Sequence, residues 1–134
     1  MKNSVYKPAF YTGIIMMASG VILGALGAHA LKPLLTDSLA DSYETAVRFQ
    51  LFHGLALLII GVLSLFSTSK LIKTTTWTFL IGILLFSGSI YALIYMRVNF
   101  DIGLGALGML TPIGGLTLIV SWILMLPIIK TLYK

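Results

Sequence analysis

Four long apolar stretches divide the chain, and short polar segments separate them. The stretches cover roughly residues 10–31, 47–66, 77–96 and 107–129. Each has about twenty residues, the length that an α-helix needs to cross the hydrocarbon core of a bilayer. The strict alternation of apolar and polar positions that is typical of a half-buried strand does not occur. The pattern therefore predicts four transmembrane helices.

The segments between the stretches read KPLLTDSLADSYE, STSKLIKTTT and RVNFDIG. Connections this short make consecutive helices run antiparallel. We therefore predict an all-α, antiparallel four-helix bundle that forms one transmembrane domain over residues 1–134. The first stretch also resembles a secretory signal peptide, because lysines precede it and Ala28-His29-Ala30 resembles a cleavage site. Its length favours a retained helix instead.

Composition supports a membrane location. Of the 134 residues, 58% are hydrophobic and 10% are charged, and the mean hydropathy is +1.02. A soluble domain of this size could not keep so much apolar surface away from water, so we expect the lipid bilayer as a partner. The net charge of +5 does not indicate nucleic-acid binding, because the cations are few and scattered. The absence of cysteine excludes disulfides, thiol catalysis and thiolate metal ligands.

The charged residues predict an orientation. Six lysines lie at the ends that would share one side of the membrane: Lys2, Lys7, Lys70, Lys73, Lys130 and Lys134. The other side would hold every acid and the remaining cations: Asp37, Asp41, Glu44, Asp101, Lys32, Arg48 and Arg97. Because lysine and arginine are enriched in cytoplasmic segments, we expect both termini in the cytoplasm and the protein in the cell membrane.

The first connection carries signals for the second helix. Pro33 ends the first helix, and Asp41 or Ser42 is a suitable N-cap for the second. Glu44 would then lie in the first turn, where the helix dipole favours negative charge. It also precedes Arg48 by four residues, a spacing that favours an ion pair.

Small residues give each predicted helix a face that permits close packing in lipid. The predicted packing positions are Gly20, Gly24, Gly61, Gly88 and Gly115. Because Gly20 and Ala28 lie one turn away on either side of Gly24, we expect substitution of Gly24 to disrupt the fold more than substitution of Gly13. Some of these positions could also serve a homo-oligomer or a contact with another membrane protein.

Polar residues at similar depth predict a polar layer in the outer half of the bundle. His53 lies roughly 13 Å along the helix from Glu44, and ionisable groups at such depth usually face the bundle interior. The predicted members of this layer are His29, Arg48, Gln50, His53, Ser87, Ser89, Tyr91 and Thr111. Pro112, which follows Thr111, lies at the same depth. We expect His53 to be neutral and to form a hydrogen bond with another helix. The inner half shows no comparable layer.

Two interpretations of this layer stay open: hydrogen bonds that hold helices together, or a site that binds or moves a small solute. The leading hypothesis is a non-enzymatic accessory, scaffold or lipid-interacting bundle. The alternative is a small transporter or channel for a proton, ion or small solute. A membrane enzyme with His29 and His53 as acid and base is a third. We predict no cofactor and no metal, because two histidines, a glutamine and distant acids lack a ligand spacing.

Four segments together resemble a known family: GALGAHALK, YETAVRFQLFHGLALL, LFSGSIYAL and TPIGGL, which begin at Gly24, Tyr43, Leu85 and Thr111. The chain resembles the domain-of-unknown-function family 423, also called uncharacterised membrane protein family 0382. Transmembrane protein 256 is its eukaryotic relative. The resemblance covers nearly the whole chain and implies a small four-helix protein of the bacterial inner membrane, but it implies no reaction. The motif letters fall on the polar-layer residues and on Tyr43 and Pro112.

Overall fold

The computed structural model describes residues 5–67, 69–103 and 105–133. Within these ranges the chain is helical and contains no β-strand. The long helices are α1 (Lys7–Ala28), α2 (Asp37–Leu63), α3 (Leu71–Phe100) and α4 (Leu110–Lys130). In the described part of the chain, these four are long and apolar enough to cross a membrane. The prediction of an all-α membrane fold is confirmed.

α2 begins well before its apolar stretch. It starts at Asp37, and the N-cap is Thr36, whose Oγ1 accepts a hydrogen bond from the Leu39 backbone N–H at 3.4 Å. The prediction that Asp41 or Ser42 caps this helix is therefore wrong. The Ser42 hydroxyl instead donates to the Ser38 carbonyl one turn earlier, so a polar residue is accommodated inside the helix. Hydropathy marks where α2 becomes apolar, not where its backbone becomes helical.

α1 and α2 run antiparallel, as hydrogen bonds at both ends of the pair show. At one end, the Tyr6 backbone N–H donates to Ser64 Oγ at 3.0 Å, which joins the start of α1 to the end of α2. At the other end, the Tyr43 hydroxyl donates to the Leu23 carbonyl at 2.8 Å.

α3 contains a π-helical segment, Leu84–Gly88, between two α-helical parts. α4 lies directly against it: a Cβ added to Gly114 would come within 2.8 Å of the backbone atoms Leu85 C and Phe86 Cα. π-Helical turns often occur where a helix must be locally distorted for packing or function. Here the segment places a helix backbone against a glycine of the neighbouring helix.

Buried apolar residues form two clusters. The larger cluster joins all four helices and consists of Ala9, Ala56, Leu57, Ile60, Ile72, Phe79, Ile83, Leu118 and Ile128. The smaller cluster consists of Tyr43, Ala46, Val47, Ile90 and Ile94. Many large apolar side chains remain exposed, including Ile14, Ile22, Phe52 and Leu116. Such a surface would be unfavourable in water and suits contact with lipid tails.

The predicted packing glycines differ in how closely they are approached. A Cβ on Gly20 would lie 2.7 Å from Leu51 Cδ2, and one on Gly61 would lie 3.0 Å from the Phe10 ring. The structure contradicts the prediction at Gly88, where a Cβ would meet nothing within 4 Å.

Two further glycines also depart from expectation. A Cβ on Gly115 would only reach ordinary contact with Phe86, at 3.7 Å, because its neighbour Gly114 holds the close position. On α1 we expected substitution of Gly24 to disrupt the fold more than substitution of Gly13, but the contacts favour the opposite order. A Cβ on Gly24 would meet Val47 Cγ1 at 3.3 Å, whereas one on buried Gly13 would lie 2.7 Å from Leu58 Cδ2 and 3.1 Å from the Gly54 carbonyl oxygen.

Candidate functional site

Gln50 is the centre of a hydrogen-bond network that joins three helices. Its side chain is 4% exposed. Nε2 donates to the Met16 carbonyl at 3.0 Å and to Ser19 Oγ at 2.8 Å, both on α1. Oε1 accepts a hydrogen bond from the Tyr91 hydroxyl of α3 at 2.9 Å. Both amide protons are therefore used, and these four residues are called the Gln50 network below.

Hydroxyl groups extend this network on its outer side. The Tyr43 and Tyr91 rings lie 5.3 Å apart, between centroids. Ser87, in the π-helical segment, donates to the Ala46 carbonyl of α2 at 2.7 Å. Each of these hydroxyls thus bonds to protein. Because a polar group in hydrocarbon is costly without a partner, such bonds favour one arrangement of the helices.

A hydroxyl pair joins α3 to α4. Ser89 Oγ and Thr111 Oγ1 are 2.6 Å apart, and Ser89 also donates to the Phe86 carbonyl at 2.9 Å. A serine hydroxyl has one proton, so the Thr111 hydroxyl must be the donor in the pair. The predicted polar layer is therefore divided here between the Gln50 network and a separate α3–α4 contact.

His53 is buried but does not join the Gln50 network. Its side chain is 8% exposed, and Nδ1 lies 2.7 Å from the Phe49 carbonyl oxygen on its own helix. A carbonyl only accepts, so Nδ1 carries a proton. The imidazole packs against the rings of Phe49, Phe79 and Trp122 at centroid distances of 5.6 to 6.0 Å. The prediction of a hydrogen bond to another helix is wrong, because aromatic rings occupy the neighbouring positions.

His29 and Arg48 lie outside the buried layer. Both are exposed, and His29 forms the C-cap of α1 through its backbone N–H, which donates to the Ala25 carbonyl. The expected ion pair between Glu44 and Arg48 does not form in the described part of the chain. The ion pair found among the described residues joins Arg97 Nη1 to Asp101 Oδ1 at 3.7 Å.

Two clefts open near the ends of α1, α2 and α3 that lie on the predicted outer side. The first, of about 440 Å³, lies between α1 and α2 and is lined by Gly24, Gly27, Ala28, Lys32, Leu35, Ala40, Tyr43, Glu44, Val47, Arg48 and Leu51. The second, of about 820 Å³, lies among α2, α3 and the start of α4 and includes Asp41, Ile90, Ile94, Arg97, Ile102 and Thr111. Each has apolar walls and charged residues at its rim.

The inner half holds buried hydroxyls that the sequence reasoning missed. The residues are Ser64, Ser67, Thr75, Thr76 and Ser121. Thr76 and Ser121 donate to carbonyls one turn earlier, at 2.8 Å each. Thr75 Oγ1 is buried without a hydrogen-bond partner among the described residues. Hydroxyls that bond to their own helix barely interrupt an apolar stretch, although the run TTTWT at residues 74–78 offered a signal.

In the described ranges, no three histidine, aspartate or glutamate side chains are grouped as metal ligands. The Gln50 network joins amide, hydroxyl and carbonyl groups of three helices. The charged residues that line the clefts are Lys32, Glu44 and Arg48 in the first and Asp41 and Arg97 in the second.

Comparisons with known proteins place this architecture in a family. The model of a family described as a protein of unknown function (DUF423) matches residues 23–115. A UPF0382 membrane protein of Staphylococcus aureus (strain bovine RF122 / ET3-1) is 41% identical over 111 residues, which cover 83% of this chain and 84% of that protein. The UPF0382 membrane protein YwdK of Bacillus subtilis (strain 168) is 34% identical, covering 84% and 87%. No solved structure matches.

Proposed function

The chain belongs to the DUF423 family of membrane proteins, and from that premise we propose a non-enzymatic, lipid-interacting bundle of the cell membrane with both termini in the cytoplasm. One observation carries the proposal. The buried side chains of Gln50 and Tyr91 bond to protein groups, whereas five charged residues line two clefts with largely apolar walls: Lys32, Asp41, Glu44, Arg48 and Arg97. The charged residues of such a cleft can bind the headgroup of a lipid, and its apolar walls can contact the acyl chains.

The positions of the histidines support a role without catalysis. His29 is an exposed helix cap, and His53 is packed among aromatic rings. Among the described residues, neither imidazole has a hydrogen bond to the other or to a carboxylate. General acid–base chemistry needs such groups within reach of one substrate.

The close packing of apolar residues in the core does not favour the alternative of a transporter or channel. Leu57, Ile60, Phe79 and Ile83 are each at most 2% exposed and fill the space on the inner side of the Gln50 network. Protein reconstituted into liposomes with a pH gradient should therefore dissipate it no faster than protein-free liposomes. A flux that scales with the amount of protein would favour a small transporter or channel instead.

Retained lipid tests the proposal directly. The protein should keep phospholipid when it is purified in a mild detergent, and mass spectrometry of the intact complex should show it. The control is an unrelated four-helix membrane protein carried through the same purification. Equal or smaller retention than this control would contradict the lipid-interacting function.

The orientation can be tested with single cysteines, because the chain has none of its own. Ser38 and Lys70 are both exposed; Ser38 lies in the first turn of α2, and Lys70 lies beyond the other end of α2, directly before α3. A membrane-impermeant maleimide should label Ser38→Cys in intact cells and should label Lys70→Cys only after the cells are opened. The reverse pattern would overturn the proposed orientation.

A further inference from the structure

The cleft between α1 and α2 combines two cations with a largely apolar lining. Its charged residues are Lys32, Glu44 and Arg48, and Gly24 is among its small ones. The cleft therefore holds two positive charges against one negative charge. Among the described residues, neither cation lies within 4.0 Å of a carboxylate.

The position of Arg48 determines what could neutralise it. It lies at the start of the apolar stretch 47–66 and is exposed on α2. At this boundary of the hydrocarbon core, an arginine extends its guanidinium towards the level of the lipid headgroups. The anionic group that a bilayer supplies there is the phosphodiester, which the planar guanidinium can bind through two parallel hydrogen bonds.

Gly24 and Gly27 leave different amounts of space in the cleft. A Cβ on Gly27 would lie 2.7 Å from Tyr43 Cδ1, so the Tyr43 ring already covers that glycine. A Cβ on Gly24 would meet Val47 Cγ1 at 3.3 Å and no second atom within 4 Å, so helix packing alone does not require glycine there as strictly as at Gly13, and an apolar chain can lie beside it. Leu35, in the connection before α2, and Leu51 of α2 add apolar walls.

The larger cleft is less suited to an anion. Its cation, Arg97, already has Asp101 at 3.7 Å, and Asp41 adds another negative charge. The α1–α2 cleft is therefore the better match to a phosphate group, and Arg97 provides a matched control at the same end of the bundle.

We propose that the α1–α2 cleft binds one membrane glycerophospholipid, with its phosphodiester between Arg48 and Lys32 and an acyl chain that passes over Gly24. The inference rests on the proposed lipid-interacting function and gives it a site. The bound group is a phosphodiester that is attached to an apolar chain, so free phosphate should compete poorly for the site.

The test uses the full chain, delipidated in detergent and incubated with phosphatidylglycerol or with diacylglycerol of the same acyl chains. Intact-complex mass spectrometry measures retention. Wild type should retain phosphatidylglycerol and little diacylglycerol. The double variant Arg48→Gln/Lys32→Gln should retain roughly tenfold less phosphatidylglycerol, because it loses charge-assisted hydrogen bonds to phosphate. Arg97→Gln should behave as wild type.

A second variant keeps the charges and fills the space. Ala28 is exposed and lines the cleft, so Ala28→Leu should lower retention while its thermal unfolding stays close to that of wild type. This variant separates occupation of the cleft from general attraction between lipid and positive charge.

Four other results would overturn the proposed site, and one of them would also overturn the lipid-interacting function. Retention by the double variant equal to that of wild type would overturn the site and leave the lipid-interacting function standing. Failure of wild type to retain phospholipid would overturn both. Equal retention of diacylglycerol would remove the role of phosphate, and displacement by millimolar inorganic phosphate would show a site for free anions instead of lipid.

Discussion

The interface between α1 and α2 and the interface between α3 and α4 both use glycine, but the closest approach to a glycine is made by side-chain atoms at the first and by backbone atoms at the second. Along α1–α2, a Cβ on Gly20 would meet the end of the Leu51 side chain, and one on Gly61 would meet the Phe10 ring. Such side chains can rotate or shift by a few tenths of an ångström, so these contacts can yield at moderate cost.

At the α3–α4 interface, the atoms closest to a glycine belong to a helix backbone and cannot rotate away as a side chain can. A Cβ on Gly114 would approach the backbone of Leu85 and Phe86 in the π-helical segment. Moving a helix backbone requires many residues to shift together, because protein interiors are close-packed. One small-residue pattern thus covers two mechanically different interfaces.

The interfaces also differ in their polar contacts. α1–α2 is held by a buried glutamine amide that reaches a carbonyl and a hydroxyl of α1. α3–α4 is held by the hydroxyl pair of Ser89 and Thr111, and a second pair, Ser67 with Thr131 at 2.8 Å, joins the connection before α3 to the residue after α4. The amide lies at the centre of its interface, so its removal should affect three helices at once.

The largest expected effect is at the backbone contact. Gly114→Ala should lower the free energy of unfolding by about 3 kcal/mol or more, because the added methyl group overlaps backbone atoms that cannot rotate away. Reversible unfolding in detergent, followed by circular dichroism, measures the change. Gly88→Ala is the matched control: its Cβ enters open space, and alanine favours the helix. Equal stability of the two variants would refute the distinction between the interfaces.

The next effect compares two glycines of α1. Gly13→Leu should destabilise the protein by roughly 1–3 kcal/mol more than Gly24→Leu, because Gly13 is buried and faces the Leu58 side chain and the Gly54 carbonyl. Thermal unfolding of the two variants in one detergent gives the ranking. If Gly24→Leu were the less stable variant, α1 would not pack as described.

Removing the amide should have a smaller effect. Gln50→Leu should cost about 1–2 kcal/mol, since it deletes three hydrogen bonds and leaves the Tyr91 hydroxyl without its partner. Tyr91→Phe should cost less, and a double-mutant cycle should give a coupling energy between the two positions. Strict additivity would show that the bond between the two side chains adds nothing to stability.

The smallest effect is expected at His53. His53→Phe should change the free energy of unfolding by under about 1 kcal/mol, because the lost hydrogen bond is internal to α2 and an aromatic ring is kept. Chemical unfolding of His53→Phe and Gln50→Leu under the same conditions measures the two changes in the free energy of unfolding. A loss at His53 as large as that at Gln50 would mean that the imidazole has an interhelical role.

Sequence reasoning identified the depth of the polar groups but not their partners. Gln50 and His53 are three residues apart on α2, which separates their directions by about 60° around the helix. That difference is enough for Gln50 to reach α1 and Tyr91 while His53 meets Phe79 and Trp122. Apolar character all around the helices leaves no pattern from which the facing neighbour can be chosen.

The four spans, the absence of thiol chemistry and the set of polar residues at depth could all be predicted from the amino-acid order. They follow from the length of each apolar stretch and from side-chain chemistry, which are local properties. The packing of the helices sets which glycine meets a backbone, which hydroxyl pairs with which helix, and that Arg48 borders a cleft instead of the Gln50 network. In lipid, apolar side chains gain little by meeting one another instead of the acyl chains, so fit and hydrogen bonding select the neighbours.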